Sequence, residues 1–170
     1  MITFTGYKLS NLQKDIIAEA IGSALDVLVS KRMKKTLSFD INIEKDLYKQ
    51  RNIWGDMDIE DDEEQSPKLY TIRLNYSGVE SFAKMLEVLA HELVHVEQFA
   101  TRRLRNLAKP FHVSFDKQRY NTLHTKYYER PWEIEAHQLE KSVYNYMVKS
   151  SNKVQRYVSN KSDESFGEGL

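Results

Sequence analysis

The chain has 170 residues and no cysteine, and its 25 Lys+Arg balance 25 Asp+Glu. That length suits one domain. The missing cysteine excludes a disulfide framework and any thiolate metal site, and the balanced charge gives no general pull towards nucleic acid or anionic membrane.

No stretch approaches the length of apolar sequence a spanning helix needs, and the first residues show no basic-then-apolar leader. A cytoplasmic protein is the expectation. Residues 2–5 read as a short strand. Ser10 or Asn11 then caps an amphipathic helix in which Leu12, Ile16, Ala20, Ala24 and Leu28 recur at helical spacing, running to about Lys35. Residues 37–44 alternate apolar and polar, as a half-buried strand does. A second strand is expected at 53–59, an acidic loop over 58–67 and a third strand at 68–76. Ser77 and Glu80 have the spacing of a capping box. They open a long helix predicted to reach about Leu107, with Phe82, Met85, Leu86, Leu89, Leu93, Val96 and Phe99 along its apolar stripe.

Periodicity fades between Ala108 and Arg130. That length is more than a plain connector needs, so a functional loop or short irregular helices are expected. Pro131 suits the first turn of a last helix, running to about Lys149. The polar tail 151–170 is expected to be flexible. The basic runs 31–35 and 102–105 and the acidic run 56–64 read as solvated faces. These elements describe a single α+β domain over residues 1–150, with an N-terminal helix, a small three-stranded antiparallel sheet, a long helix and a C-terminal helix.

The chemistry concentrates in His91-Glu92-Leu93-Val94-His95. Residues four apart share a helix face, so His91 and His95 can aim both imidazoles at one ion. Imidazole suits Zn²⁺. Glu92 lies beside the pair, where it can take a proton from water held by the ion and pass it to a leaving amine. A chance HExxH arises in roughly one of 200 chains of this length, so its setting matters. Val88, Leu89, Ala90, Leu93, Val94 and Val96 give it the uncharged flanks of a buried site, and Glu97 is the one departure.

A catalytic zinc takes three protein ligands and one water. The metzincin extension needs Gly at 98 and His at 101, where this chain has Gln98 and Thr101. A third ligand from a later helix is left. Glu133 and Glu135, in Pro131-Trp132-Glu133-Ile134-Glu135-Ala136-His137, are the two candidates.

HELVH with a downstream E-x-E-A-H resembles the gluzincin metallopeptidases. Within them it is similar to the small SprT-like and phage- or mobile-element-associated zincins. The resemblance covers the two helices. It implies a zincin-like fold, Zn²⁺ as cofactor, Glu92 as catalytic base, and a protein or peptide substrate, with proteins on DNA as one class. Its register implies His91, His95 and Glu133 as ligands and puts His137 where it would orient a histidine ligand. It also implies an oxyanion donor among His112, His124, Tyr120, Tyr127 and Tyr128, and an edge strand at 69–76 that pairs with extended peptide. The competing reading is a non-catalytic zinc-binding regulatory or DNA-associated module. An intact Glu92 argues against that one, because a structural site has no use for a base.

Overall fold

An 18-residue helix separates the first two strands, enough chain to cross the sheet and return to the same end. In the computed structural model, which describes residues 1–61, 66–76 and 81–164 with side chains through Ser159, β1 (Ile2–Gly6) leads through α1 (Asn11–Leu28) and α2 (Lys31–Lys34) to β2 (Ser38–Glu44). Then come α3 (Leu47–Arg51), β3 (Gly55–Ile59) and β4 (Leu69–Asn75). The strands form one sheet in the order β1-β2-β4-β3. The pairs β1–β2 and β2–β4 are parallel, and only β3–β4 is antiparallel. The expected three-stranded antiparallel sheet is therefore a four-stranded mixed one. Its parallel pairs follow from the long connections, and β1 adds an edge.

Local chemistry sets the boundaries. Ser10 accepts from the Gln13 amide while the Gln13 side chain accepts from Ser10, a complete capping box at the start of α1. The helix stops at Leu28, short of Lys35, because Val29 is extended and Ser30 caps a new turn. Lys34 ties that turn back to Asp26 and the Gly22 carbonyl, both at 2.6 Å. Helix α4 (Phe82–Ala100) is capped by Ser81, which accepts from the Lys84 amide. The capping box expected at Ser77 and Glu80 lies outside the described residues. At its other end α4 stops before Leu107, since Arg102 turns left-handed with φ 62°.

Past that turn β5 (Leu104–Asn106), where the helix was expected to continue, joins β6 (His112–Phe115) and β7 (Gln118–Asn121), where irregular structure was expected, in a second, antiparallel sheet. A 3₁₀ turn (Tyr127–Glu129) leads into α5 (Pro131–Ser150), with Pro131 at its start as expected. Within the tail expected to be flexible, Asn152–Glu164 form helix α6, and residues 165–170 lie outside the described residues. Val154 is fully buried, Lys153 pairs with Glu19 at 2.8 Å, and the Ser151 hydroxyl donates to Glu19.

The alternation read in β2 and β4 now has a destination. Phe39, Ile41 and Ile43 sit opposite Tyr70, Ile72 and Leu74, and all six are buried in one core with α1 and α4. Fully burying an Ile or Leu contributes about 1.5–3 kcal/mol relative to exposure. Helix α5 packs on α4 and α1. A smaller core of Leu104, Val113, Phe115 and Trp132 lies between the second sheet and the first turn of α5. Among the described residues no helix is long and apolar enough to cross a membrane.

Candidate metal centre

The HELVH segment lies in the middle of α4, and the apolar neighbours Leu89, Ala90, Leu93, Val94 and Val96 are all buried. His91 and His95, one turn apart, bring their Nε2 atoms within 3.2 Å of each other. The first turn of α5 supplies the third group. Glu133 Oε2 stands 3.3 Å from His95 Nε2 and 3.6 Å from His91 Nε2. Glu135, the other candidate, is turned away. Arg103 Nη2 donates to it at 2.6 Å and Gln98 Nε2 at 2.9 Å.

The histidines are fixed in one tautomer by their outer neighbours. Gln98 Nε2 donates to the Trp132 carbonyl at 3.0 Å and to Glu135. Its Oε1 is thereby left to accept, so His95 Nδ1, 2.8 Å away, must donate. His91 Nδ1 lies 2.8 Å from the Glu140 carboxylate and donates in the same way. Both Nε2 lone pairs then face Glu133 Oε2, which is buried without a hydrogen-bond partner. Three converging lone pairs repel one another unless a cation lies between them. A tetrahedral zinc with arms of about 2.0–2.2 Å has ligand atoms about 3.3–3.6 Å apart; the separations of 3.3 and 3.6 Å fall in that range and the Nε2–Nε2 separation of 3.2 Å lies just below it. The residues fit the ion.

Titration behaviour points the same way. Burial depresses the His91 and His95 pKa values, but their acceptors, led by Glu133, outweigh it and leave both raised. Burial likewise favours protonated Glu133, yet the two imidazoles hold it far below the usual carboxylate range.

Glu92 is buried and, among the described residues, makes no hydrogen bond. Burial pushes its pKa up to about 7, against the opposing pull of His95 and His91. Strand β3 passes unusually close to it at Gly55. A Cβ there would meet Val88 Cγ1 at 2.5 Å and Glu92 Oε1 at 3.4 Å, so only glycine lets the strand lie against the helix here.

Two cavities adjoin the centre, of about 350 and 420 Å³. Both are lined by Ile53, Gly55, His91, Glu92 and Tyr127. Of the five oxyanion candidates only Tyr127 borders them. It is half exposed, and its phenol pKa is raised by partial burial and then by the Glu133 and Glu92 carboxylates, so it stays protonated. Tyr120 instead packs edge-on against Trp132, and Tyr128 and His124 are exposed. His112 pairs with the Pro110 carbonyl.

Three expectations need correction. His137 does not orient a histidine ligand. It stands 3.2 Å from Glu140, and it is Glu140 that bonds His91. Strand β4 is interior, between β2 and β3, so it offers no free edge; β3 is the edge beside the centre. The acidic run is partly strand, and Arg73 pairs with Asp56 at 2.6 Å and Asp58 at 2.5 Å. Sequence reasoning also missed Glu140 and Gln98. Both carried a signal: Gln98 is three residues after His95, and Glu140 is two helical turns beyond Glu133 on the same face. No protein-family model, curated protein or solved structure matches the chain, so the functional reading rests on this geometry.

Proposed function

We propose that the protein is a zinc-dependent metallopeptidase with a zincin-like fold. His91, His95 and Glu133 hold the ion, Glu92 is the general base, and the substrate is a protein or peptide. The observation that carries the reading is the meeting of three donor atoms at 3.2–3.6 Å beside a free, buried carboxylate that lines the cavity.

When bound, zinc supplies Lewis acidity and brings the pKa of a water molecule from ~15.7 towards ~7. The chain's own residues do the rest. Glu92 takes the proton of the attacking water on its carboxylate and delivers it to the leaving amine nitrogen. A pKa near 7 suits a group that must do both. The Tyr127 phenol donates a hydrogen bond to the scissile carbonyl oxygen as negative charge gathers there. Extended substrate lies along the outer edge of β3, whose residues Gly55, Asp56 and Met57 border the cavity. Glu140 and Gln98 hold the imidazoles in register, which commonly matters 10–100-fold for metal affinity.

Elemental analysis of protein purified without chelators is the direct test, with about one zinc per chain expected. A preparation without near-stoichiometric zinc sinks the proposal. Glu92→Gln should retain the zinc and lose about 10²–10⁴-fold in peptide cleavage. Cleavage at the wild-type rate overturns the role given to Glu92.

A further inference from the structure

The smaller cavity beside the centre has walls of Ile53, Met57, Phe99, Leu104, Val113 and Trp132, and a single arginine, Arg130, also borders it. Its backbone is set by the proline that follows, which disfavours helical geometry for the residue before it; Arg130 has φ −73° and ψ 121°. Its side chain is set by two main-chain acceptors. Nε donates to the Thr125 carbonyl at 3.3 Å and Nη2 to the Thr122 carbonyl at 3.1 Å. The guanidinium also lies over the Tyr127 ring, 5.8 Å from its centroid.

What this cation lacks is an anion. Arg73 and Arg103 are each engaged by carboxylates. Among the described residues no carboxylate stands within ion-pair distance of Arg130. Two of its five N–H donors are used on carbonyls, and three remain. Of the acids that line the same cavity, Asp56 pairs with Arg73, Glu133 faces the imidazoles, and Glu92 makes no ion pair with Arg130 or any other cation among the described residues. A pinned, unpaired guanidinium at the rim of an apolar cavity is built to receive a carboxylate in paired hydrogen bonds. The segment that carries it is basic throughout, with eight Lys+Arg against two Asp+Glu over residues 102–130. An acidic chain is drawn to this side of the mouth.

We infer that Arg130 is a specificity-determining residue that reads a substrate carboxylate beside the scissile bond, either an Asp or Glu side chain or the free terminus of the peptide. This rests on the peptidase reading above. It adds to that reading a preference set by one residue outside the metal centre.

The test is a mixed-sequence peptide library, supplied in two arms with free and amidated C-termini, digested by the zinc-loaded protein and read by mass spectrometry. An enrichment of Asp or Glu at one position flanking the cut, about 10- to 100-fold and present in both arms, supports a side-chain carboxylate. Cleavage restricted to the end of free-acid peptides supports the terminal one. Arg130→Gln should flatten either pattern, and Arg130→Lys should keep part of it, since the charge survives without the fork. Cleavage of the library with no acidic preference overturns the role of Arg130 and leaves the peptidase reading standing. No cleavage in either arm by protein that carries zinc overturns both. A folded Arg130→Gln that keeps the wild-type preference also overturns the role of Arg130, and since the wild-type profile can fail by itself, a misfolded variant leaves the proposal falsifiable.

Discussion

Helices α4 and α5 and the small sheet β5–β7 border one cavity, yet they are built on different principles. The helix pair is regular and packs into the large core, and its two histidine donors follow from helical spacing. The sheet is three strands of three or four residues on a core of four side chains. It is held to the helices largely by Arg103, which pairs with Glu97 on α4 at 3.2 Å, Asp116 in the sheet at 3.0 Å and Glu135 on α5 at 2.6 Å. Glu97, the one charged departure in the motif's surroundings, thereby has a use. The contrast separates reactivity from selectivity: a rigid frame fixes the ion and the base, and a lightly built wall carries Arg130.

The largest expected effect tests whether α5 contributes its donor as described. Glu133→Gln should abolish stoichiometric zinc binding, while Glu135→Gln should keep the zinc and cost about 1 kcal/mol of stability through its lost Arg103 and Gln98 partners. Elemental analysis and urea titration of both variants check this, and the reverse outcome would exchange the two carboxylates. Next, Arg103→Ala should cost about 1–2 kcal/mol. It should also make residues 102–130 selectively sensitive to limited proteolysis while α4 keeps its protection. Uniform protection would mean that the sheet is not an independent wall.

A gentler effect is pH dependence in chelator-treated protein. The raised His91 and His95 pKa values contribute stability that is fully present below their unfolded value near 6.5 and fades as pH rises through the higher folded ones. The depressed Glu133 contributes stability present above its unfolded value near 4.5, lost only in strong acid. The metal-free site is therefore best held between these limits. Zinc competes with protons, so the gap in Tm between loaded and metal-free protein should widen from pH 6 to pH 8. A gap that narrows on calorimetry would contradict the imidazole–carboxylate pairing. The smallest effect belongs to the hairpin between β6 and β7. Its two turn residues, Asp116 and Lys117, have φ of 46° and 70°, so Lys117→Gly should raise stability by about 0.5–1 kcal/mol in the same denaturation assay.

That hairpin also explains which parts could be read from the sequence. Asn-Gly or Asp-Gly is the usual mark of such a turn, and Asp116-Lys117 carries no glycine. Arg102 ends α4 in the left-handed region, again without the glycine that would announce it. The second sheet was hidden because its turns are made by residues that pay strain, and because its strands are too short to show a period. By contrast β2, β4 and α5 were legible, since each carries enough alternating or helical positions to fix its exposed and buried faces. HELVH was legible for the same reason. The choice between Glu133 and Glu135 was not: two residues apart in a helix point in different directions, but only the packing of α5 on α4 says which one faces the imidazoles.

The close approach at Gly55 bears on motion. With no side chain on the strand at that point, the width of the throat beside Glu92 is fixed by main chain against Val88. On the strand's side, rotamer flips, which take picoseconds to nanoseconds, have no means to widen or narrow it. Opening on that side would require β3 to leave its ladder with β4, a far slower event. At Gly55 the strand itself therefore offers no fast gate for substrate entry or product release.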